Sequence, residues 1–188
     1  MRIIGGKHRG TKLYTLDGLN TRPTLDRVKE PLFSIIGFDL PEATVLDLFA
    51  GSGALGLEAI SRGAKKAYLC DSYKQAIHII GQNVDKLKEN SKVEIINKDY
   101  DKALEYLKNE KFDIVFLDPP YATDFSEKAS EKIAKYGLLN ENGIIIIETD
   151  RKDEVKKNIE ELDLFEIYDQ RKYGRAELIF LRLKWSCT

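Results

Sequence analysis

The chain has 188 residues, 43% hydrophobic and 32% charged, with a net charge of −1 and two cysteines, Cys70 and Cys187, neither in metal or redox spacing. A domain of this size buries roughly 70% of the surface its unfolded chain exposes, so it needs no disulfides, and the cysteine usage fits a reducing compartment. No apolar stretch reaches the ~20 residues of a membrane helix and no apolar leader core opens the chain, so a soluble cytoplasmic protein without a membrane partner is expected.

In chain order, residues 2–6 and 11–16 read as a small hairpin around Lys7-His8-Arg9-Gly10. Helical periodicity follows over residues 24–38 (Val28, Leu32, Ile35, Ile36), with Thr24 as candidate N-cap. Pro31 interrupts it, and an interior proline costs about 3 kcal/mol. Either the helix kinks there, or it starts near Pro31 behind a separate turn over residues 26–30.

Beyond residue 40 short apolar runs alternate with helical patterns. Strands are expected at 43–49, 66–70, 93–96, 112–117 and 144–148, and helices at 54–62, 73–87, 101–108, 125–135 and 153–161. Near-continuous apolar strands separated by helices predict a parallel sheet covered on both faces. Two last runs, 164–171 and 177–183, are joined by Tyr173-Gly174 with no helix between them. They read as a C-terminal hairpin that puts one antiparallel strand into the sheet. The expected architecture is a single α/β domain over 1–188 with a seven-stranded, mostly parallel sheet. Residues 1–40 form a small basic extension and 41–188 the core.

Charge is distributed unevenly. Residues 1–30 hold seven Lys/Arg against three acids, whereas the remaining 158 hold 23 against 28. A basic arm on an acidic body suits contact with a polyanion, although short basic segments are also common as plain solvated surface.

The first strand of the core runs into Asp47-Leu48-Phe49-Ala50-Gly51-Ser52-Gly53-Ala54-Leu55-Gly56. Glycines here let the backbone turn tightly and approach a ligand, and their G-x-G-x-x-G spacing at a strand-to-helix junction indicates a nucleotide-like cofactor. Three acids refine that reading. Asp47 would repel a pyrophosphate but attract an ammonium; Asp71 closes the second strand, where it can accept from ribose hydroxyls; Asp99 follows the third, with Tyr100 beside it, placed to accept from an adenine amine. Each alone could be a helix cap. Together with the glycine loop they point to S-adenosylmethionine, with Asp47, Phe49, Ala50, Gly51, Ser52, Gly53, Asp71, Ser72, Asp99 and Tyr100 as the expected cofactor-binding set.

The fourth strand ends in Asp118-Pro119-Pro120-Tyr121. Ligands of parallel α/β sheets bind at the carboxyl ends of strands, so this loop should face the same crevice. A conjugated exocyclic amine is a poor nucleophile. A carboxylate and a backbone carbonyl accepting from its two N–H bonds favour a pyramidal nitrogen whose lone pair is available. Pro119 and Pro120 stiffen the loop and donate no N–H, and Tyr121 offers a stacking face. Strand ends also turn on such sequences for purely structural reasons. Following a glycine loop and three strand-end acids, the motif predicts methyl transfer to an amino nitrogen. His8 and His78 are far apart, and no C-x-x-C, H-E-x-x-H or G-x-S-x-G occurs, so metal and acyl-enzyme chemistry lack support.

Four segments, Arg2-Ile3-Ile4-Gly5-Gly6-Lys7-His8-Arg9-Gly10, residues 22–30, residues 46–59 and Asp118-Pro119-Pro120-Tyr121, together resemble the bacterial 16S rRNA (guanine(966)-N2)-methyltransferases. The resemblance spans essentially the whole chain. It implies a class I S-adenosylmethionine-dependent methyltransferase (Rossmann-like) fold, a monomer, and 16S rRNA or the small ribosomal subunit as partner. It also implies that Lys7, His8, Arg9, Arg22 and Arg27 lie on the RNA side, with residues 22–27 bordering the cofactor pocket. Pro31 and Tyr73 depart from the family pattern. Asp118-Pro119-Pro120-Tyr121 also occurs in amino-methyltransferases of DNA adenine and protein glutamine, so the motif alone leaves the acceptor open; the chain has no room for a DNA target-recognition domain.

Overall fold

The computed structural model describes residues 1–16, 23–120 and 122–184, with residues 23–27 described by backbone alone. Helix α1 (Pro23–Ile35) precedes the core, which runs β1 (Thr44–Asp47), α2 (Ala54–Ser61), β2 (Lys66–Asp71), α3 (Lys74–Leu87), β3 (Val93–Asn97), α4 (Tyr100–Tyr106), β4 (Phe112–Leu117), α5 (Phe125–Lys135), β5 (Leu139–Thr149), α6 (Lys152–Leu162), β6 (Phe165–Tyr173) and β7 (Ala176–Leu183). The seven strands lie in the order β3-β2-β1-β4-β5-β7-β6. β7 runs antiparallel to both neighbours, and the other pairings are parallel. The alternating elements, the single reversed strand and the terminal hairpin match the sequence-based expectation of a class I methyltransferase fold.

Both faces of the central strands are buried, which explains their unbroken apolar runs. Val45, Ile114, Phe116, Ile144 and Ile146 face one core with α1, α2 and α3; Leu46, Val115, Leu117, Ile145 and Ile147 face the other with α4, α5 and α6. The chain leaves β1 toward β2 and leaves β4 toward β5, so strand order reverses between β1 and β4, and a crevice opens above their carboxyl ends.

α1 continues through Pro31 instead of starting there. Tertiary burial of Val28, Lys29, Leu32, Phe33 and Ile36 offsets the missing backbone hydrogen bond. The helix begins one residue before Thr24. The N-terminal hairpin forms, with Ile3 N–H donating to the Thr11 carbonyl at 2.9 Å and Gly10 N–H to the Ile3 carbonyl at 2.8 Å. Ile3 and Leu13 are buried in the core shared with α1, α2 and α3, so the arm is packed onto the body. Arg22, Tyr121 and Cys187 lie outside the described residues, as do the side chains of Thr24 and Arg27. No helix among the described residues is long and apolar enough to cross a membrane.

Candidate active site

The loop after β1 crosses the top of the sheet because Gly51 and Gly53 adopt positive φ (56° and 78°), conformations that cost a side-chain-bearing residue more than glycine. Gly53 caps α2 and its N–H donates to the Ala50 carbonyl at 2.7 Å. The strand-end carboxylates hold this turn in place. Asp71 accepts from Gly51 N–H at 2.9 Å and from Tyr73 N–H at 2.8 Å; Asp47 accepts from Gly56 N–H at 3.1 Å. Asp99 caps α4, accepting from Lys102 N–H at 2.9 Å, and that hydrogen bond together with the Lys102 ammonium keeps its carboxyl below the usual range despite slight burial.

Above these groups lies a cavity of about 470 Å³. Asp47, Phe49, Ala50, Gly51, Ser52, Asp71, Ser72, Asp99 and Tyr100 line it, and so do Asp118, Pro119 and Pro120 from the end of β4. The glycine loop and the Asp118 loop therefore share one wall. Of the described residues expected to bind cofactor, only Gly53 is absent from the lining. Phe49, Tyr100 and Phe125 form an aromatic cluster on the same wall, Phe49 and Phe125 stacked at 6.4 Å and 7° and Tyr100 to Phe125 at 4.8 Å.

Asp47 is buried, and burial pushes its carboxyl up to about 7; Gly56 N–H opposes this, while the charges of Asp118 and Asp71 add to it. Four carboxylates face one basic side chain, Lys98, among the described lining residues. A pyrophosphate would be repelled there. A ligand carrying ammonium, sulfonium and amine donors would offset the carboxylate repulsion, and its purine would find the aromatic cluster, so the residues present fit S-adenosylmethionine.

The loop after β4 is braced. Thr123 Oγ1 donates to the Pro120 carbonyl at 2.8 Å, and the Arg151 guanidinium donates to the Thr123 carbonyl. Pro119 and Pro120 bring no N–H of their own to the loop, but Thr123 donates to the Pro120 carbonyl.

Lys7, His8 and Arg9 lie away from the cavity wall. Lys7 Nζ and His8 Nε2 both reach Glu89 Oε1, at 2.9 and 2.6 Å, and hold that carboxyl below its ordinary range despite its burial. Lys7 and Arg9 are exposed.

Sequence reasoning overlooked several contributors. Met1 and Leu16, at the two ends of the N-terminal hairpin, line the cavity, as does Phe125. Glu58 is fully buried and its carboxylate collects Ile4 N–H, Gly5 N–H, Lys29 Nζ and Arg62 Nε, at 2.8 to 3.0 Å. Asn83, also fully buried, joins the arm to the cofactor loop. The available signals were a lone acid in an apolar helix and an Asn on the apolar face of α3.

Residues 1–182 match the family model described as Conserved hypothetical protein 95. The chain is 39% identical over 156 residues to "Ribosomal RNA small subunit methyltransferase D" of Haemophilus influenzae, covering 80% of this chain and 79% of that one. It is 36% identical over 164 residues to "Putative rRNA methyltransferase YlbH" of Bacillus subtilis, covering 86% and 89%. Among solved structures, "Putative methyltransferase yhhF" from Escherichia coli superposes with a TM-score of 0.83 at 30% identity, over 99% of each chain.

Proposed function

The chain belongs to the Conserved hypothetical protein 95 family and is a methyltransferase with the class I fold, and we propose that it uses S-adenosylmethionine to methylate the exocyclic N2 of a guanine in 16S ribosomal RNA. The observation that carries this reading is the shared wall: Asp118-Pro119-Pro120 lines the same cavity as Asp47, Asp71 and Asp99.

Bound there, S-adenosylmethionine supplies an electrophilic methyl group on a sulfonium. Asp47 would hold its ammonium, Asp71 its ribose hydroxyls and Asp99 its adenine amine, with Phe49, Tyr100 and Phe125 as the apolar wall. Asp118 would accept a hydrogen bond from the target amine, orient its lone pair for attack and take the proton that the amine sheds. The Pro119 carbonyl takes the second N–H in this reading, since the Pro120 carbonyl already accepts from Thr123 Oγ1. Tyr121 stacks on the base. Such alignment is worth up to ~7–11 kcal/mol of barrier.

The RNA contacts in this reading are Lys7, His8, Arg9, Arg22 and Arg27. Exposed Lys7 and Arg9 meet phosphates, giving salt-dependent binding. The base must be presented by a loop or flipped from its stack, at a cost of a few kcal/mol. The relatives' names support small-subunit rRNA as substrate. We read the protein as a monomer acting in the cytoplasm.

Two measurements test the reading. Calorimetry should find S-adenosylhomocysteine binding and no NAD binding, and tritiated methyl transfer should label 16S RNA, free or within 30S particles. NAD binding, or no label in either RNA, would overturn it.

A further inference from the structure

Leu117 pairs with Ile147 across the parallel strands β4 and β5, so Asp118 and Glu148 are the next residues beyond that pair, at the ends of strands about 4.8 Å apart. Glu148 is 7% exposed. It lines a narrow cleft with Thr123, Ser126 and Arg151, and that cleft shares Pro119 and Pro120 with the cofactor cavity. A second carboxylate thus stands beside the acceptor loop, on the side away from the glycine loop.

We propose that Glu148 is the residue that selects guanine, accepting a hydrogen bond from the base's N1–H while Asp118 accepts from its N2 amine. The inference rests on the guanine-N2 reading and deepens it. The chemistry lies in what stands next to the amine. Guanine presents N1–H, a donor, beside its N2 amine. Adenine presents the N1 lone pair beside its N6 amine, and a glutamine amide presents its carbonyl oxygen beside its nitrogen. Two adjacent carboxylates match a donor–donor edge. They repel a donor–acceptor edge, because a carboxylate set against a lone pair is both unpaired and desolvated. Sites built to bond a particular N–H reject analogues lacking it by factors far above those of shape alone. The Asp118-Pro119-Pro120 loop treats all three amines alike, and Glu148 separates them.

The test uses a 16S RNA fragment with guanine or 2-aminopurine at the methylated position. 2-Aminopurine keeps the N2 amine but carries a lone pair at N1. The wild-type protein should favour guanine by about 100-fold or more in kcat/KM. Glu148→Gln, whose amide can donate to a bare N1, should shrink that ratio at least tenfold, while S-adenosylhomocysteine affinity stays within about twofold of wild type. Equal use of both bases by the wild-type protein would overturn the inference without any variant. So would an unchanged ratio in Glu148→Gln, or a matching loss of S-adenosylhomocysteine affinity, which would indicate a structural residue. If the wild-type protein makes no N2-methylguanosine at all, the functional reading itself fails and this inference with it, a result separable from the others before any variant is made.

Discussion

The side-chain amide of Asn83 donates to the Ser52 carbonyl at 2.9 Å and to the Tyr14 carbonyl at 3.1 Å, while its oxygen accepts from Tyr14 N–H at 2.7 Å. One buried side chain on α3 therefore fastens the N-terminal arm to the glycine loop. With Met1 and Leu16 on the cavity wall, the arm is part of the cofactor pocket as well as a candidate RNA surface.

Asn83→Ala strands the backbone groups of Tyr14 and Ser52 that it satisfied. A stability loss of about 1–3 kcal/mol is expected. Affinity for S-adenosylhomocysteine should fall about tenfold, measured by calorimetry well below the unfolding transition, because the loop loses its brace. Unaltered affinity would mean that the glycine loop holds its shape without the arm.

Glu58 gives a second expectation for the arm. Its carboxylate is the partner of Lys29 at 3.0 Å, and both side chains are fully buried. Glu58→Gln removes the buried negative charge that Lys29 and Arg62 share and should destabilise the protein by about 3–5 kcal/mol in urea unfolding. Gly6→Ala should loosen the same junction, since an added Cβ would lie 1.8 Å from the Ser61 carbonyl oxygen at a φ of +74°. Wild-type stability in either variant would contradict the view that the arm is integral to the fold.

Asp47 makes binding depend on pH. Burial raises its carboxyl to about 7, against 3.8 for the ordinary group. The folded-state value lies above the unfolded one, so the folded protein holds the extra proton between about pH 4 and 7, and stability of the unliganded protein declines as pH rises through that window. A ligand ammonium set against Asp47 favours the ionised form, so binding runs the other way. S-adenosylhomocysteine affinity should rise about tenfold from pH 6 to pH 8. Asp47→Asn should raise the Tm of the unliganded protein at pH 8 and flatten the binding profile. A flat wild-type profile would remove Asp47 from the ligand's ammonium.

Asp118 should separate chemistry from binding. Asp118→Ala is expected to lower methyl transfer about 100- to 10,000-fold while leaving S-adenosylhomocysteine affinity within a few-fold of wild type. Near-normal turnover would take the amine-orienting role away from it.

Much of this was legible in the sequence because the information was local. Phe112–Leu117 and Phe125–Lys135 follow directly from an apolar run and a helical stripe, and the strand-end positions of Asp47, Asp71 and Asp118 follow from those strands. β5 begins five residues before the expected strand, at Leu139, because its early part pairs irregularly, with a register shift opposite Phe112 and Ile114 that no apolar run announces. α1 runs through Pro31 because packing outweighs the local penalty. The roles of Asn83, Glu58 and Lys29 depend on partners 27 to 69 residues away, and residue spacing carries no record of such contacts. Charge counting marked residues 1–30 as a basic arm, yet Lys29 is buried against Glu58, and Lys7 reaches Glu89 while staying exposed.

In the proposed reading the Asp118 loop delivers a methyl group to guanine N2 in small-subunit RNA. The most direct test is nucleoside analysis of 16S RNA, free and within 30S particles, after incubation with the protein and tritiated S-adenosylmethionine. The account predicts that the label elutes as N2-methylguanosine and disappears with Asp118→Ala. Label in N6-methyladenosine would contradict it.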